Sequence, residues 1–399
     1  MFHRLKRYRG NLLLLAAASV VSLAMVEGVL AVLRPQGDVI GRLLPGVHTV
    51  VNHEFTETIT VNRFGFRDVG FEPGPSTRSV LLLGDSFVEG TGQADDETLG
   101  ALLNRRFPGK ELQFFNAGIS GTDIADYADT YRRVTETVGV RFARVVVVLF
   151  LGNDLLDYER VGAVKRRRAE EIAAEETDQR WLVRVAEAVL PHTVAMLRQV
   201  RDGLEGPPEG APEVGDYDAH THIDWFDENS DYFGRGPLTE AEERRLEERF
   251  ARIPAETKEL MARSLVNRWC YHPYLIEPLQ DFVYNMDSEQ NERVFLSTMR
   301  QLGSLIDRVE VPVSVVIVPD KLQVSEAERA MARRIMGPGE QEDELHDMLA
   351  VNARTVAWLH ARYPGVGVYD ATPDLLARGA EAYYYRIDEH MRPAGAALR

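Results

Sequence analysis

The run from Val145 to Leu151 carries no polar side chain and is mostly β-branched. So short an apolar run predicts a strand buried on both faces rather than one stripe of a helix. Such a strand must be covered by other elements on both sides, and the helical crossovers of a parallel sheet supply that cover. Val80 to Leu83, Leu112 to Phe115, Val313 to Val318 and Val366 to Tyr369 are further strand candidates of the same kind. Between them lie stripes at helical spacing: Leu99, Leu102, Leu103 and Phe107; Ile124, Tyr127, Tyr131, Val134 and Val138; Val294, Leu302, Leu305 and Ile306. Five strand–helix units predict an α/β fold, a three-layer α/β/α arrangement around a central parallel sheet.

The rhythm stops between about residues 155 and 289. That stretch is charged and mostly helical, with a Gly/Pro-rich piece at Gly203 to Gly215. Thr239-Glu240-Ala241-Glu242 forms a capping box, after which Leu246, Phe250 and Ile253 share one helix face before Pro254. It is expected to be an insertion within the α/β domain, which spans residues 79–399, packed over or beside whatever site that domain carries. Residues 37–78 form a linker with β-prone pieces such as Thr58 to Val61. A net charge of −16 argues against nucleic-acid binding, which needs clustered Lys and Arg. With Cys270 as the single cysteine, neither an intramolecular disulfide nor a multi-Cys zinc site can form.

Residues 1–36 have their own logic. His3, Arg4, Lys6, Arg7 and Arg9 make a basic head, and the following run from Leu12 to Leu33 is broken only by Ser19, Ser22, Glu27 and Gly28. As a helix this run reaches roughly 33 Å, against a hydrocarbon core of about 30 Å. A single-pass membrane anchor is expected, with its N-terminus cytoplasmic and everything after Arg34 outside. A signal peptide cleaved near Ser22-Leu23-Ala24 or Val29-Leu30-Ala31 is the alternative, followed by a buried core helix.

Ligands of parallel α/β sheets bind at the carboxyl ends of the strands. Three of those ends read Gly84-Asp85-Ser86, Asn116-Ala117-Gly118 and Gly152-Asn153-Asp154. Ser86 sits where strand turns into helix, which suits a nucleophile. Its backbone N–H, that of Gly118 and the Asn153 side-chain amide are candidate donors to a developing oxyanion. A serine hydroxyl needs a base oriented by a third group. Near the C-terminus, His390 is the candidate base and Asp388 its orienting carboxylate. Asp85 is expected to support the turn rather than to react. His220-Thr221-His222 with Asp224 invites a metal reading, but a solvated cluster in a charged loop is the simpler one. Tyr383, Tyr384 and Tyr385 could stack on a sugar, although packing is the simpler expectation.

Gly84-Asp85-Ser86, Gly118, Gly152-Asn153-Asp154 and the Asp388/His390 pair resemble the four sequence blocks of the SGNH (GDSL-type) serine hydrolases. Asn62-Arg63-Phe64-Gly65-Phe66-Arg67-Asp68 and the expected anchor resemble the exported, membrane-tethered bacterial branch. Val318-Pro319-Asp320-Lys321 and the Asp-x-His spacing resemble the branch that includes alginate O-acetylation proteins. Many members space the pair as Asp-x-x-His, so Asp388 departs from the commoner pattern. The resemblance implies an SGNH or flavodoxin-like fold and a Ser86 acyl-enzyme, with Ser86, Gly118 and Asn153 lining an oxyanion hole. It implies no cofactor and no metal. Water as acceptor gives an esterase; a sugar hydroxyl gives an O-acyltransferase acting on an acylated, for instance acetylated, envelope glycan. Partners in envelope-polysaccharide modification fit that reading. A catalytically inactive glycan-binding or scaffold protein, and a lipase or thioesterase, are the rivals.

Overall fold

The computed structural model describes residues 18–29 except 20, 40–68 except 42, 44, 52 and 53, 77–108, 111–155, 189, 190, 193, 217–229, 237–276 except 264, 289–337, and 348–396 except 387. The chain divides into two compact units, Met1–Asp38 with Lys165–Ala211, and Val39–Val164 with Pro212–Arg399. In the first unit residues 21–29 are helical. Glu27 Oε2 accepts the Thr193 backbone N–H at 2.9 Å and its hydroxyl at 2.7 Å. Much of the apolar run from Leu12 to Leu33 lies outside the described residues. Among the described residues, no helix is long and apolar enough to cross a membrane.

The second unit opens with an antiparallel hairpin, β1 (Gly46–Val51) and β2 (Thr56–Val61). The supposed linker is therefore partly a defined element. A parallel sheet follows: β3 (Arg78–Leu83), β4 (Leu112–Asn116), β5 (Phe142–Phe150), β6 (Val313–Val318) and β7 (Gly367–Asp370). All five strands expected from the apolar runs are present. Leu151 begins a helical turn rather than ending β5, and β7 is a half-exposed edge strand, so the two-face burial argument does not reach it.

The helices are α1 (Ser86–Glu89), α2 (Leu99–Arg106), α3 (Ile124–Thr137), α4 (Leu151–Asp154), α5 (Ala219–Asn229), α6 (Glu240–Phe250), α7 (Ala255–Arg263), α8 (Leu265–Ile276), α9 (Glu289–Arg308), α10 (Lys321–Val324), α11 (Glu326–Met336), α12 (Ala350–Arg362), α13 (Thr372–Arg378) and α14 (Pro393–Ala396).

Strand side chains alternate between faces, and here both alternating sets are apolar. Leu81, Leu83, Phe115, Val145, Val147, Leu149, Val315 and Ile317 share a core with α3 (Ile124, Tyr127, Val134) and α9 (Phe295, Met299, Leu302). Val80, Leu82, Phe114, Val148, Phe150 and Val318 share the other with Leu375, Tyr384 and Met391. Each such aliphatic or aromatic side chain contributes about 1.5–3 kcal/mol when fully buried. Tyr384 and Met391 bracket the loop that holds His390, so the second core also anchors that loop.

The strand order is β4-β3-β5-β6-β7. The chain leaves β3 towards β4 on one side and leaves β5 towards β6 on the other, so the direction of winding reverses between β3 and β5. The crevice at the carboxyl ends of these two strands is where such sheets bind ligands. Within the interrupted region, the described helices α5 to α8 confirm its helical character, and the capping box of Thr239 and Glu242 opens α6 as expected. Gly203 to Gly215 lies outside the described residues. Arg252 joins this group to the end of α11 by donating to the Ile335 carbonyl at 2.9 Å.

Candidate active site

Ser86 is the first residue of α1, directly beyond β3, and is buried at 8% exposure. Gly84 is required there: a Cβ on it would lie 2.3 Å from Val88 Cγ2. Asp85 caps the turn, its Oδ1 accepting the Phe87 N–H at 3.0 Å. Its other oxygen accepts a hydrogen bond from the Asn153 side-chain amide at 2.7 Å. Burial pushes the Asp85 carboxyl above its usual range, and these hydrogen bonds partly offset it. Asp85 thus supports the turn, as its sequence position suggested. The Ser86 N–H, at the first helical position, has no intrahelical acceptor to reach.

The 116–120 loop is stitched to this turn. Asn116 Nδ2 donates to the Val88 carbonyl at 2.7 Å, and the Ile119 N–H donates to the Gly84 carbonyl at 3.1 Å. Gly118, expected among the oxyanion donors, gives its N–H to Asn116 Oδ1 at 3.0 Å. The glycine is nonetheless obligatory, because a Cβ there would sit 2.1 Å from Glu89 N. It serves the approach of the loop to the α1 backbone, not the approach of a substrate.

Asn153 lies in α4, beyond β5, and is tied to the nucleophile turn by its bond to Asp85. That bond uses one of the two amide hydrogens. Asp154 is fully buried, accepting the Phe150 N–H at 2.9 Å and the Tyr127 hydroxyl at 3.2 Å. Burial, and then the neighbouring Asp85 charge, hold its carboxyl well above the usual range. Behind Asn116, burial pushes the Asp68 carboxyl up to about 8 against the hydrogen bond it accepts from the Asn116 N–H.

Asp388 and His390 do come together. The Asp388 Oδ1 and His390 Nδ1 share a short hydrogen bond, with Asp388 fully buried and the His390 side chain 14% exposed. Glu389 between them is in the left-handed region at φ 64°, the only described non-glycine residue there. That conformation is uncommon for a residue with a Cβ and is found where surrounding structure enforces it. Here it lets residues two apart face one another. The imidazole lies 5.4 Å, ring centre to ring centre, from Phe87, the residue after Ser86. Phe87 in turn stacks on Phe150 at 3.9 Å. Burial alone would lower the His390 pKa. The Asp388 hydrogen bond and charge, with lesser help from Asp85 and Glu89, outweigh burial and raise it above its ordinary value.

What holds this loop was not legible as a motif. Tyr384 and Met391 form an isolated antiparallel bridge, and the Tyr385 N–H donates to the His390 carbonyl at 2.9 Å. The Tyr384 hydroxyl donates to the Pro319 carbonyl at 2.8 Å, and that of Tyr385 donates to the Gly92 carbonyl. Both tyrosines are therefore structural. Gln93 Nε2 donates to the Met391 carbonyl at 3.1 Å. Lys321 donates to the Arg386 carbonyl and pairs with Glu328 at 2.6 Å. From the hairpin, Glu54 accepts the N–H groups of Arg386 and Asp388. Arg67, 3% exposed, donates to the Gly90 and Gln93 carbonyls and pairs with Glu57 at 3.3 Å. Arg67 belongs to the Asn62–Asp68 motif, but nothing in the sequence assigns it this task.

The insertion reaches the same loop. Glu256 of α7 pairs with Arg386. His220 and His222 lie on α5, not in a loop as the sequence suggested. His220 is exposed, whereas His222 is fully buried between the Tyr217 hydroxyl at 2.5 Å and His272 at 3.1 Å. Burial, and then the Arg268 charge, push the His222 pKa down to about 3. Among the described residues, no group of three or more His, Cys, Asp or Glu side chains could hold a metal ion. No protein-family model matches the chain, and neither does any curated protein sequence.

Proposed function

We propose that this protein is a serine esterase or O-acyltransferase of the SGNH type, with the α/β sheet forming that family's three-layer arrangement. The observation that carries the reading is the His390 ring, fixed by a buried Asp388 and packed against Phe87 beside Ser86. Acyl transfer by a serine needs a carboxylate-oriented imidazole as its base, and here such an imidazole packs on the residue that follows Ser86.

In this mechanism the Ser86 hydroxyl attacks an ester carbonyl while His390 Nε2 takes its proton. Asp388 holds the tautomer and balances the imidazolium. The Ser86 N–H and the second Asn153 amide hydrogen meet the oxyanion. Gly118 is left out of that set because its N–H serves Asn116. His390 then protonates the leaving alcohol, and water or a sugar hydroxyl resolves the acyl-enzyme. With the N-terminal run as a membrane anchor, the domain faces the cell envelope and an acylated envelope glycan is the natural substrate class.

The test is to incubate the full-length protein with a serine-directed fluorophosphonate and with short- and long-chain aryl esters. Wild type should label and turn over, and Ser86→Ala should do neither. Equal labelling of both proteins would put the nucleophile elsewhere.

A further inference from the structure

We infer that Glu54, in the connection between β1 and β2, is a positioning residue for the general base, an inference that rests on the acyl-transfer reading of Ser86 and His390. Among the described residues, the last loop before His390 pairs with another strand segment only at the bridge of Tyr384 and Met391. Main-chain N–H groups that no strand pairs take side-chain or water acceptors instead. Glu54 provides two. Its Oε1 accepts the Arg386 N–H at 2.9 Å and its Oε2 accepts the Asp388 N–H at 2.7 Å.

Both bonds are charge-assisted, and a single carboxylate holds the backbones of Arg386 and Asp388 together. The chain leaves that grip through Glu389 in its left-handed conformation and returns with His390 facing Asp388. Asp388 is thus held at its backbone by Glu54 while its side chain holds the imidazole. Glu54 acts on the base through Asp388, whose backbone N–H it accepts. The neighbouring Phe55 packs on Tyr385 at 4.9 Å between ring centres, which seats the hairpin on the loop. Glu57, further along the same hairpin, accepts the Gly92 N–H at 3.1 Å and pairs with Arg67, which binds the turn after α1. One hairpin therefore holds both the segment after the nucleophile and the segment carrying the base.

The experiment compares wild type, Glu54→Gln and Glu54→Asp as full-length proteins. Gln keeps the length but offers one acceptor oxygen and a competing donor; Asp keeps the charge but is one methylene short. Aryl-ester turnover should fall about tenfold in kcat for both, with KM changing less than threefold. The His390 pKa, followed by NMR of ring-labelled histidine with His390→Ala for assignment, should fall in both variants as Asp388 loses its hold. A His390 pKa and kcat unchanged in both variants would overturn the inference. A fall in Glu54→Gln with Glu54→Asp unchanged would also overturn it, reducing Glu54 to a remote charge. A wild type without labelling or turnover would sink the acyl-transfer reading instead, while the NMR comparison still decides whether Glu54 positions the pair.

Discussion

The Ser86 turn is shaped by contacts between near neighbours, Asp85 capping Phe87 and Gly84 making room for Val88. Distant residues such as Asn116, Ile119 and Asn153 are then tied onto it. In the His390 loop the shaping contacts come from far along the chain, from Glu54, Gly92, Gln93, Pro319 and Lys321. The bond from Gln93 to Met391 spans 298 positions of sequence. A strand end running into a capped helical turn specifies its own shape, because each hydrogen bond closes a small ring. An irregular loop has no such internal pattern and takes its shape from what surrounds it. The shape of the nucleophile turn therefore follows local rules, whereas the shape of the base loop follows from the finished fold.

The largest expected effects test whether the two regions form one machine. Ser86→Ala and His390→Ala should each lower aryl-ester kcat on the order of 10⁴-fold or more, measured on proteins of unchanged thermal midpoint. A His390→Ala protein with near-native turnover would separate the loop from the turn. Asn153→Ala comes next, with a loss of about 10²–10³-fold in kcat if its amide meets the oxyanion. A loss confined to stability would leave Asn153 as a prop for Asp85.

The pH profile probes the loop. With His390 acting as a neutral base whose pKa is raised, kcat/KM should fall as pH drops through a value above 6.5. Asp388→Asn removes the principal lifting group and leaves burial to lower the pKa, so the acid limb should move to lower pH. The Asp388→Asn loss in rate should also be smaller than that of His390→Ala. Stability runs the other way. A raised folded pKa stabilises fully below the unfolded value and is lost as pH rises through the folded one. An acid limb that Asp388→Asn leaves in place would mean a different group controls activity.

The smallest effects concern stability, and they should differ between the regions. Gly118→Ala drives a Cβ into the Glu89 backbone and should cost about 1–3 kcal/mol in denaturant unfolding. Tyr384→Phe removes one of several ties on the loop and should cost about 1 kcal/mol. A larger loss for Tyr384→Phe would mean that the loop hangs on a single bond.

The apolar runs determined the parallel sheet, since a strand buried on both faces admits few other partners, and β3, β4, β5 and β6 all follow from them. Gly84, Asp85 and Ser86 likewise announced a strand-to-helix turn through residue types whose local geometry is strongly constrained. The Asp-x-His spacing brought Asp388 and His390 into one loop, but not into contact. That required Glu389 to adopt a left-handed conformation, which tertiary packing enforces and no residue pattern marks. The fate of the Gly118 N–H depended on the rotamer of Asn116, which sequence leaves open. Glu54 and Gln93 had no periodicity or motif to betray them, and the motif around Arg67 did not reveal its task. Their hydrogen bonds to distant main-chain groups exist only once the hairpin, the turn and the last loop have been folded against one another.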